Sequence, residues 1–327
     1  MPIQLVFTLA AAAGLLTAGL YLSVMGGPVF LLFQYLTQLP LFLVGLGLGF
    51  APALVSSSVA LVVALIADAT LGLVFLIGYV GPTLLVVQRA LLNRPAKGGA
   101  LEWYPPGRLL AEASVYVLMI FLVGVIWFSG QDGGLAGVIE RSMVQVLSLL
   151  GTDAAQRTAE ILHEYLFVVP GIMGVSWVTM MVVNAALAQW LLTRSGRNLR
   201  PSPTFTEVRL PIWLSYLLGV SILLAFLGEG VLAFAGGSMM MILMTPHFFQ
   251  GTGVIHQWAY RSASAGLILV AFYLLIVFYL SLIGFFFFLV PKSQKLKFLN
   301  FISRFPLLTS LHYLLNTFID LGIRKSA

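Results

Sequence analysis

The chain has 327 residues, of which 60% are hydrophobic and 9% charged, with a net charge of +6 and a mean hydropathy of +1.02. Soluble domains carry about 25% charged residues, so a chain this poor in charge cannot cover a water-facing surface, and lipid must be the solvent for most of it. There is no cysteine, which excludes disulfides and cysteine-based metal sites. No basic run is interleaved with aromatic residues, so the sequence indicates no nucleic-acid partner.

Eight segments of the chain are apolar over about the 20 residues that a membrane-crossing helix needs. The sequence therefore predicts an all-α, polytopic transmembrane helix bundle over residues 1–291. The first apolar segment has no Lys or Arg before it, so we interpret it as a retained span and not as a signal peptide. The predicted spans are 5–25, 28–49, 51–67, 70–92, 110–128, 168–193, 211–235 and 264–290.

The basic residues predict the orientation of these spans. They concentrate in the connections 93–109 and 194–210 and in the segment 292–327, and Arg89 lies just before the first of these connections. Placing all three on the cytoplasmic side of a bacterial inner membrane puts 14 of the 17 Lys and Arg residues inside, as the positive-inside rule requires. Both termini are then cytoplasmic, and the connection 129–167, which carries several acidic residues, is external.

Two segments have a one-sided apolar pattern typical of helices that lie on a membrane surface. In the external connection 129–167, apolar residues recur at helical spacing from Leu135 to Leu150. The tail 292–327 has a similar stripe, interrupted by Pro306. We expect the tail to lie on the cytoplasmic leaflet and not to cross the membrane.

Residues 238–260 form a further apolar stretch, interrupted by Pro246, Gly251 and Gly253. If this stretch crossed the membrane, the last span would end outside with the basic residues that follow it. The positive-inside rule favours a re-entrant element instead, which enters the bundle, turns at the glycines and returns to the same side.

Known catalytic and nucleotide-binding motifs are absent from the sequence. There is no GxxxxGK[ST] phosphate loop, no HExxH and no GxSxG. Two histidines in the stretch 238–260 have no further ligand at a known metal-site spacing. We therefore expect no enzyme activity, no cofactor and no metal.

Polar residues inside apolar segments are the candidates for a ligand cavity, because burying them is costly unless they have partners. A cluster in the second span either lines a cavity or joins helices by hydrogen bonds. A Gly-rich turn in the re-entrant stretch would expose backbone groups, as in the broken helices of transporters. The candidates are Gln34, Tyr35, Thr37 and Gln38 in the second span, and Glu229, His247, Gln250, Gly251, Gly253, His256 and Arg261.

Two acidic residues have structural interpretations. Glu229 lies near the outer end of the seventh span, where it is a ligand or proton site, reaches to the membrane surface, or pairs with Arg261 at the rim of the cavity. The pair is slightly favoured, because an isolated carboxylate at that depth is costly. Asp68 lies between the third and fourth spans, where a helix cap is favoured over a functional acid.

Small residues recur every fourth position in the first span, at Ala10, Gly14 and Ala18. Such faces let helices approach closely. This face either packs within the bundle or docks a partner subunit.

Two stretches carry a resemblance to a known family. Leu39-Pro-Leu-Phe-Leu-Val-Gly45-Leu-Gly-Leu-Gly49 resembles the N-terminal signature of the YybS-like bacterial membrane proteins, and Phe248-Phe-Gln-Gly251 with Val254-Ile-His256 resembles their C-terminal block. That family has no known function. It is distantly similar to the S-components of energy-coupling-factor vitamin transporters and to rod-shape proteins of the MreD type. The likeness to S-components implies a substrate-binding subunit that has no ATPase and docks a partner through small residues of its first span.

Two functions of different class are consistent with these features. The first is a small-molecule binding or transport component without its own ATPase, whose ligand the sequence does not name. The second is a structural or scaffold protein of the cell envelope. The first is favoured, because buried polar clusters and a broken helix are costly unless they are used.

Overall fold

A computed structural model describes residues 1–26, 30–96, 99–148, 168–204 and 208–289. The described residues are almost entirely α-helical, which confirms the all-α fold class. The chain divides into two compact units, Met1–Gln257 and Trp258–Ala327. The helices are α1 (Ile3–Leu22), α2 (Leu31–Gln34), α3 (Leu39–Leu48), α4 (Phe50–Ala67), α5 (Ala69–Phe75), α6 (Gly81–Ala90), α7 (Pro106–Trp127), α8 (Gly134–Ser148), α9 (Val169–Arg194), α10 (Ile212–Leu227), α11 (Val231–Ala259) and α12 (Ala265–Leu289).

Several of these helices could cross a membrane, which makes the protein a multi-pass membrane protein. Among the described residues, six helical stretches are long and apolar enough, and three shorter apolar helices accompany them. The predicted number of eight spans is not confirmed. The six are Ile3–Gly26, Phe50–Ala67, Ala69–Ala90, Pro106–Trp127, Val169–Arg194 and Val231–Ala259, and the shorter ones are Leu32–Leu48, Ile212–Leu227 and Ala265–Val277.

The boundary between α4 and α5 has a local cause in the sequence. Asp68 has an extended backbone, and its Oδ1 accepts a hydrogen bond from the backbone N–H of Leu71 at 2.8 Å. This is the N-cap arrangement, in which a side-chain oxygen satisfies a free N–H of the first helical turn. The prediction that Asp68 caps a helix is confirmed.

The first span packs through its small residues. A Cβ atom added to Gly14 would lie 2.4 Å from the carbonyl oxygen of Ser56 on α4, so the two backbones are in direct contact. Ala10 and Ala18 are fully buried. The Ala10/Gly14/Ala18 face is therefore occupied by α4 within the chain. This contact supports packing within the bundle, whereas docking of a partner subunit at this face stays a prediction.

The main hydrophobic core lies between α3, α6, α7, α9 and α11. Phe42, Val87, Val117, Met181 and Ile242 belong to it, one from each helix, and all are at least 98% buried. Large side chains interlock here with glycines. For example, a Cβ added at Gly45 of α3 would lie 2.5 Å from the Val87 side chain of α6.

The stretch 238–260 differs from its prediction. It belongs to the continuous helix α11, which includes Pro246, so the turn expected at Gly251 and Gly253 does not form. A Cβ added at Gly251 would meet no atom within 4 Å, so this glycine does not mark a close approach of backbones. Backbone groups in lipid have no water to bond, which keeps a helix continuous even through glycines.

The neighbours of α11 show where it runs. Gly236, near its start, packs against Leu224 near the end of α10, and His247 bonds Ser215 near the start of α10. Helix α11 therefore runs antiparallel to α10. It starts beside the C-terminal end of α10 and passes the N-terminal end of α10. A re-entrant element would return to its starting level. The re-entrant interpretation of 238–260 is wrong for this structure.

The external connection 129–167 is helical where the structure describes it. Helix α8 covers the first part of the predicted amphipathic repeat, and Leu135 approaches Gly124 near the end of α7. Residues 149–167 and the tail 292–327 lie outside the described residues. The membrane-surface position of both segments stays a prediction.

One element was not predicted. A two-stranded antiparallel ribbon, β1 (Asn93–Pro95) and β2 (Leu101–Trp103), lies in the connection between α6 and α7. Its exposed Arg94 and Glu102 pair at 2.8 Å, which holds the pKa of the Glu102 carboxyl below its usual range.

Candidate functional site

The polar cluster of the second span lies at a break between helices. Residues 35–38 form turns between α2 and α3, and Thr37 and Gln38 are fully buried. The side-chain amide of Gln38 donates to Thr83 Oγ1 at 3.0 Å and to the backbone carbonyl of Tyr79 at 3.4 Å. Gln38 therefore joins α3 to the α6 side of the bundle.

Tyr35, in the turn between α2 and α3, contacts two residues of α9. The backbone carbonyl of Tyr35 accepts a hydrogen bond from Asn184 Nδ2 at 2.6 Å, and the Tyr35 hydroxyl lies 3.2 Å from Ser176 Oγ. Gln34 is half-buried. Of the two interpretations of this cluster, hydrogen bonding between helices is the one that these contacts support. Asn184, an amide within the apolar helix α9, is the partner that sequence reasoning missed.

A π-helix, Leu76–Val80, joins α5 to α6 beside this break. Its widened turn leaves backbone carbonyls that side chains of other helices bond. Trp177 Nε1 donates to the Gly78 carbonyl at 2.8 Å, and the Tyr116 hydroxyl donates to the Ile77 carbonyl at 2.8 Å. Non-helical backbone at membrane depth is tolerated when it is bonded within the protein in this way.

The two histidines do not converge. His247 and His256 are nine residues apart on one helix of about 3.6 residues per turn, so they point to opposite sides. The His247 Nδ1 lies 2.8 Å from the Leu243 carbonyl, which can only accept, so Nδ1 carries a proton. In the neutral ring, Nε2 then accepts from the Ser215 hydroxyl at 3.1 Å. The His256 Nδ1 bonds the Thr252 carbonyl at 2.9 Å in the same way.

The remaining candidates are also dispersed. Gln250 is half-buried and Gly253 is buried along α11. Glu229 is exposed in the short connection between α10 and α11, and Arg261 is exposed in the second unit, so their ion pair stays a prediction. No group of three or more His, Cys, Asp or Glu side chains within the described part of the chain could hold a metal ion.

A cavity of about 650 Å³ lies elsewhere, where α6 and α9 end and α7 begins. None of the eleven candidates lines it. We call the end of the bundle where α6 and α9 end and α7 begins the basic end. It contains Arg89, Arg108, Arg194, Arg197, Arg200 and Arg209. The lining residues are Leu46, Val86, Ala90, Pro106, Leu109, Leu110, Ala113, Met181, Val182, Ala185, Ala186, Gln189, Trp190, Thr193, Arg194, Arg200, Ser202, Pro203, Thr204, Val208 and Phe249.

The cavity has apolar walls and a polar end. The walls come from α6, α7 and α9, with Phe249 of α11 reaching in from another side. The polar residues are those at the end of α9 and in the segment that follows it. Because an apolar cavity with a few polar groups is the usual form of a small-molecule site, this is the candidate functional site.

The segment after α9 is held over the polar end by Gln189. Its amide Nε2 donates to the Arg200 carbonyl at 2.9 Å and to Ser202 Oγ at 3.2 Å. The Thr193 hydroxyl lies 2.7 Å from Ser202 Oγ and donates to the Gln189 carbonyl at 2.8 Å. Just before Arg200 in the chain, the backbone N–H of Leu199 donates to the carbonyl of Leu46 near the end of α3.

Two arginines at this end have different environments. Arg200 is 95% buried and donates to the backbone carbonyls of Ala90 and Tyr104. Arg194 is exposed, and its guanidinium lies 5.2 Å from the centre of the Trp190 ring, which is within the range of a cation–π interaction. Arg200 is therefore a structural residue, whereas Arg194 presents its charge at the mouth of the cavity.

The apolar walls of the cavity gave no signal in the sequence. Its walls come from segments more than 150 residues apart, and each wall residue resembles any other apolar residue of a membrane helix. The pair Trp190 and Arg194, four residues apart at the end of a span, is the one local pattern that pointed here. No family model, curated protein or solved structure matches the chain.

Proposed function

We propose that this protein binds a small amphiphilic molecule in the cavity at the basic end, as a binding or transport component without its own ATPase. The observation that carries the proposal is the cavity itself. Its volume of about 650 Å³ falls within the range of about 300–1,000 Å³ typical of ligand pockets. Apolar walls inside the bundle and polar groups at its end match a molecule with an apolar part and a polar head.

We also propose that the basic end faces the cytoplasm of a bacterial cell, in keeping with the positive-inside rule. A ligand would then reach the cavity from the inner leaflet or the cytoplasm. The resemblance to the YybS-like proteins and the distant likeness to S-components support a binding component and remain part of the proposal.

The proposal is tested by filling the cavity. Ala186 lines the cavity, and Val183 lies on the same helix but is not part of the lining and is 52% exposed. We expect native mass spectrometry of the detergent-solubilised protein to show a co-purified small molecule on the wild type and on Val183→Trp. The same mass should be missing from Ala186→Trp.

The result also decides between the two functional classes. A wild-type protein with no bound molecule, or one whose bound mass survives Ala186→Trp, would exclude the cavity as a ligand site. A stable protein partner recovered from that preparation would then favour the scaffold function.

A further inference from the structure

The hydroxyl and amide donors at the polar end of the cavity are already used within the protein. Both hydrogen bonds of the Gln189 amide nitrogen go to the segment after α9. The single hydroxyl proton of Thr193 bonds the Gln189 carbonyl, so in the Thr193–Ser202 pair Ser202 is the donor. These groups shape the polar end but have no proton left for a ligand in this arrangement.

Arg194 has donors to spare. Its guanidinium carries five N–H groups, and its Cζ lies 5.2 Å from the centre of the Trp190 ring. Within the described part of the chain, the ion pairs are Arg89–Glu112 and Arg94–Glu102, and Arg194 belongs to neither. The planar guanidinium fork is pre-organised, so it loses little freedom for each hydrogen bond that it forms with an anion.

The surroundings of Arg194 add positive charge. Arg108, Arg197 and Arg209 lie exposed at the same end of the bundle, also without an ion pair among the described residues. Basic clusters at a membrane surface attract anionic headgroups. The electrostatic field at the mouth of the cavity therefore favours a negatively charged ligand over a neutral one.

We infer that the ligand is an amphiphile with an anionic phosphate headgroup, which Arg194 binds while the apolar chain occupies the cavity. Two phosphate oxygens accept two parallel N–H donors from one guanidinium, which is the strongest arrangement that a single side chain offers here. This inference rests on the proposed function, since it names the chemical class of the molecule in that cavity.

The test compares two lipids that differ in net charge. Delipidated full-length protein is titrated with phosphatidylglycerol and, separately, with phosphatidylcholine of the same acyl chains, and bound lipid is measured by native mass spectrometry. Both headgroups contain a phosphate, but the choline cation cancels its charge in phosphatidylcholine. We therefore expect the wild type to favour phosphatidylglycerol by about tenfold or more, and Arg194→Gln to lose that preference. The matched control Arg197→Gln removes an exposed arginine that adds to the field but does not line the cavity, so this variant should keep most of the preference for phosphatidylglycerol.

Two further measurements sharpen the assignment. Arg194→Lys keeps the charge but not the two-point geometry, so its preference should fall between those of the wild type and Arg194→Gln. Inorganic phosphate at millimolar concentration should not displace phosphatidylglycerol, because it lacks the apolar chain. Displacement by phosphate alone would overturn the amphiphile in favour of a free anion.

Failure of the inference and failure of the proposed function are distinguishable. Equal binding of the two lipids, unchanged in Arg194→Gln but lost in Ala186→Trp, overturns the anionic headgroup and leaves the cavity as a binding site. Binding that survives Ala186→Trp for both lipids is ordinary contact with bilayer lipid, and it overturns both.

Discussion

The guanidinium of Arg200 donates to the backbone carbonyl of Ala90 at 3.1 Å, across 110 positions of sequence. Ala90 is the last residue of α6, where carbonyl groups have no partner within the helix. The same side chain donates to the Tyr104 carbonyl at 3.2 Å, just before α7 begins. One buried arginine thus ties together the ends of three segments that border the cavity.

Replacing Arg200 should destabilise the protein. Arg200→Met removes the N–H donors that bond the carbonyls of Ala90 and Tyr104. Each buried carbonyl left without a donor destabilises the folded protein by about 1–3 kcal/mol. We expect a clearly lower midpoint of thermal unfolding in detergent. The control Arg197→Met changes an exposed side chain and should alter the free energy of unfolding by less than about 0.5 kcal/mol. Equal midpoints for the two variants would show that Arg200 has no structural role.

The close packing of α1 on α4 predicts a strong effect at one glycine and a weak one at its neighbour. A side chain at Gly14 would collide with the backbone of Ser56, whereas a Cβ at Gly19 would meet no atom within 4 Å. Gly14→Leu should therefore separate the two helices and reduce the yield of folded protein, as measured by size-exclusion chromatography. Gly19→Leu should behave as the wild type, and a similar loss in both variants would contradict this packing.

The hydrogen bond between Gln38 and Thr83 predicts a measurable coupling between these residues. Hydrogen bonds between membrane helices contribute about 0.6 kcal/mol on average and up to about 1.7 kcal/mol. A double-mutant cycle of Gln38→Leu and Thr83→Val, followed by unfolding in mixed micelles, should give a coupling energy in that range. The cycle uses two fully buried side chains, so solvent screening does not weaken the effect. Strictly additive effects would mean that the contact contributes nothing.

The course of α11 predicts that its two ends lie on opposite sides of the membrane. The protein has no cysteine of its own, so single cysteines report their positions cleanly. Glu229 and Gln257 are exposed positions at the two ends of α11. An impermeant thiol reagent should label Glu229→Cys in intact cells, as it should the external control Gln131→Cys, and Gln257→Cys only after lysis. Labelling of both ends in intact cells would restore the re-entrant arrangement.

The local features of the fold were predictable from the sequence. The low content of charged residues determined that lipid surrounds most of the chain, because so few charged side chains cannot cover a water-facing surface. The cap at Asp68 was also predictable, since it depends on the N–H of a residue three positions away. The end of α7 was predicted at residue 128 and lies at Trp127, where the apolar run stops.

The features that depend on distant residues were not predictable. Whether Gln38 lines a cavity or bonds another helix depended on Thr83, 45 positions away. The continuity of α11 was misjudged because Gly251 and Gly253 break helices in water but not in lipid, where the backbone has no other partner. The composition and local signals of this sequence determined that it forms helices in a membrane and where several of them begin and end. The tertiary structure alone decided which polar residues meet and where a cavity remains, because both depend on contacts between helices that are far apart in the chain.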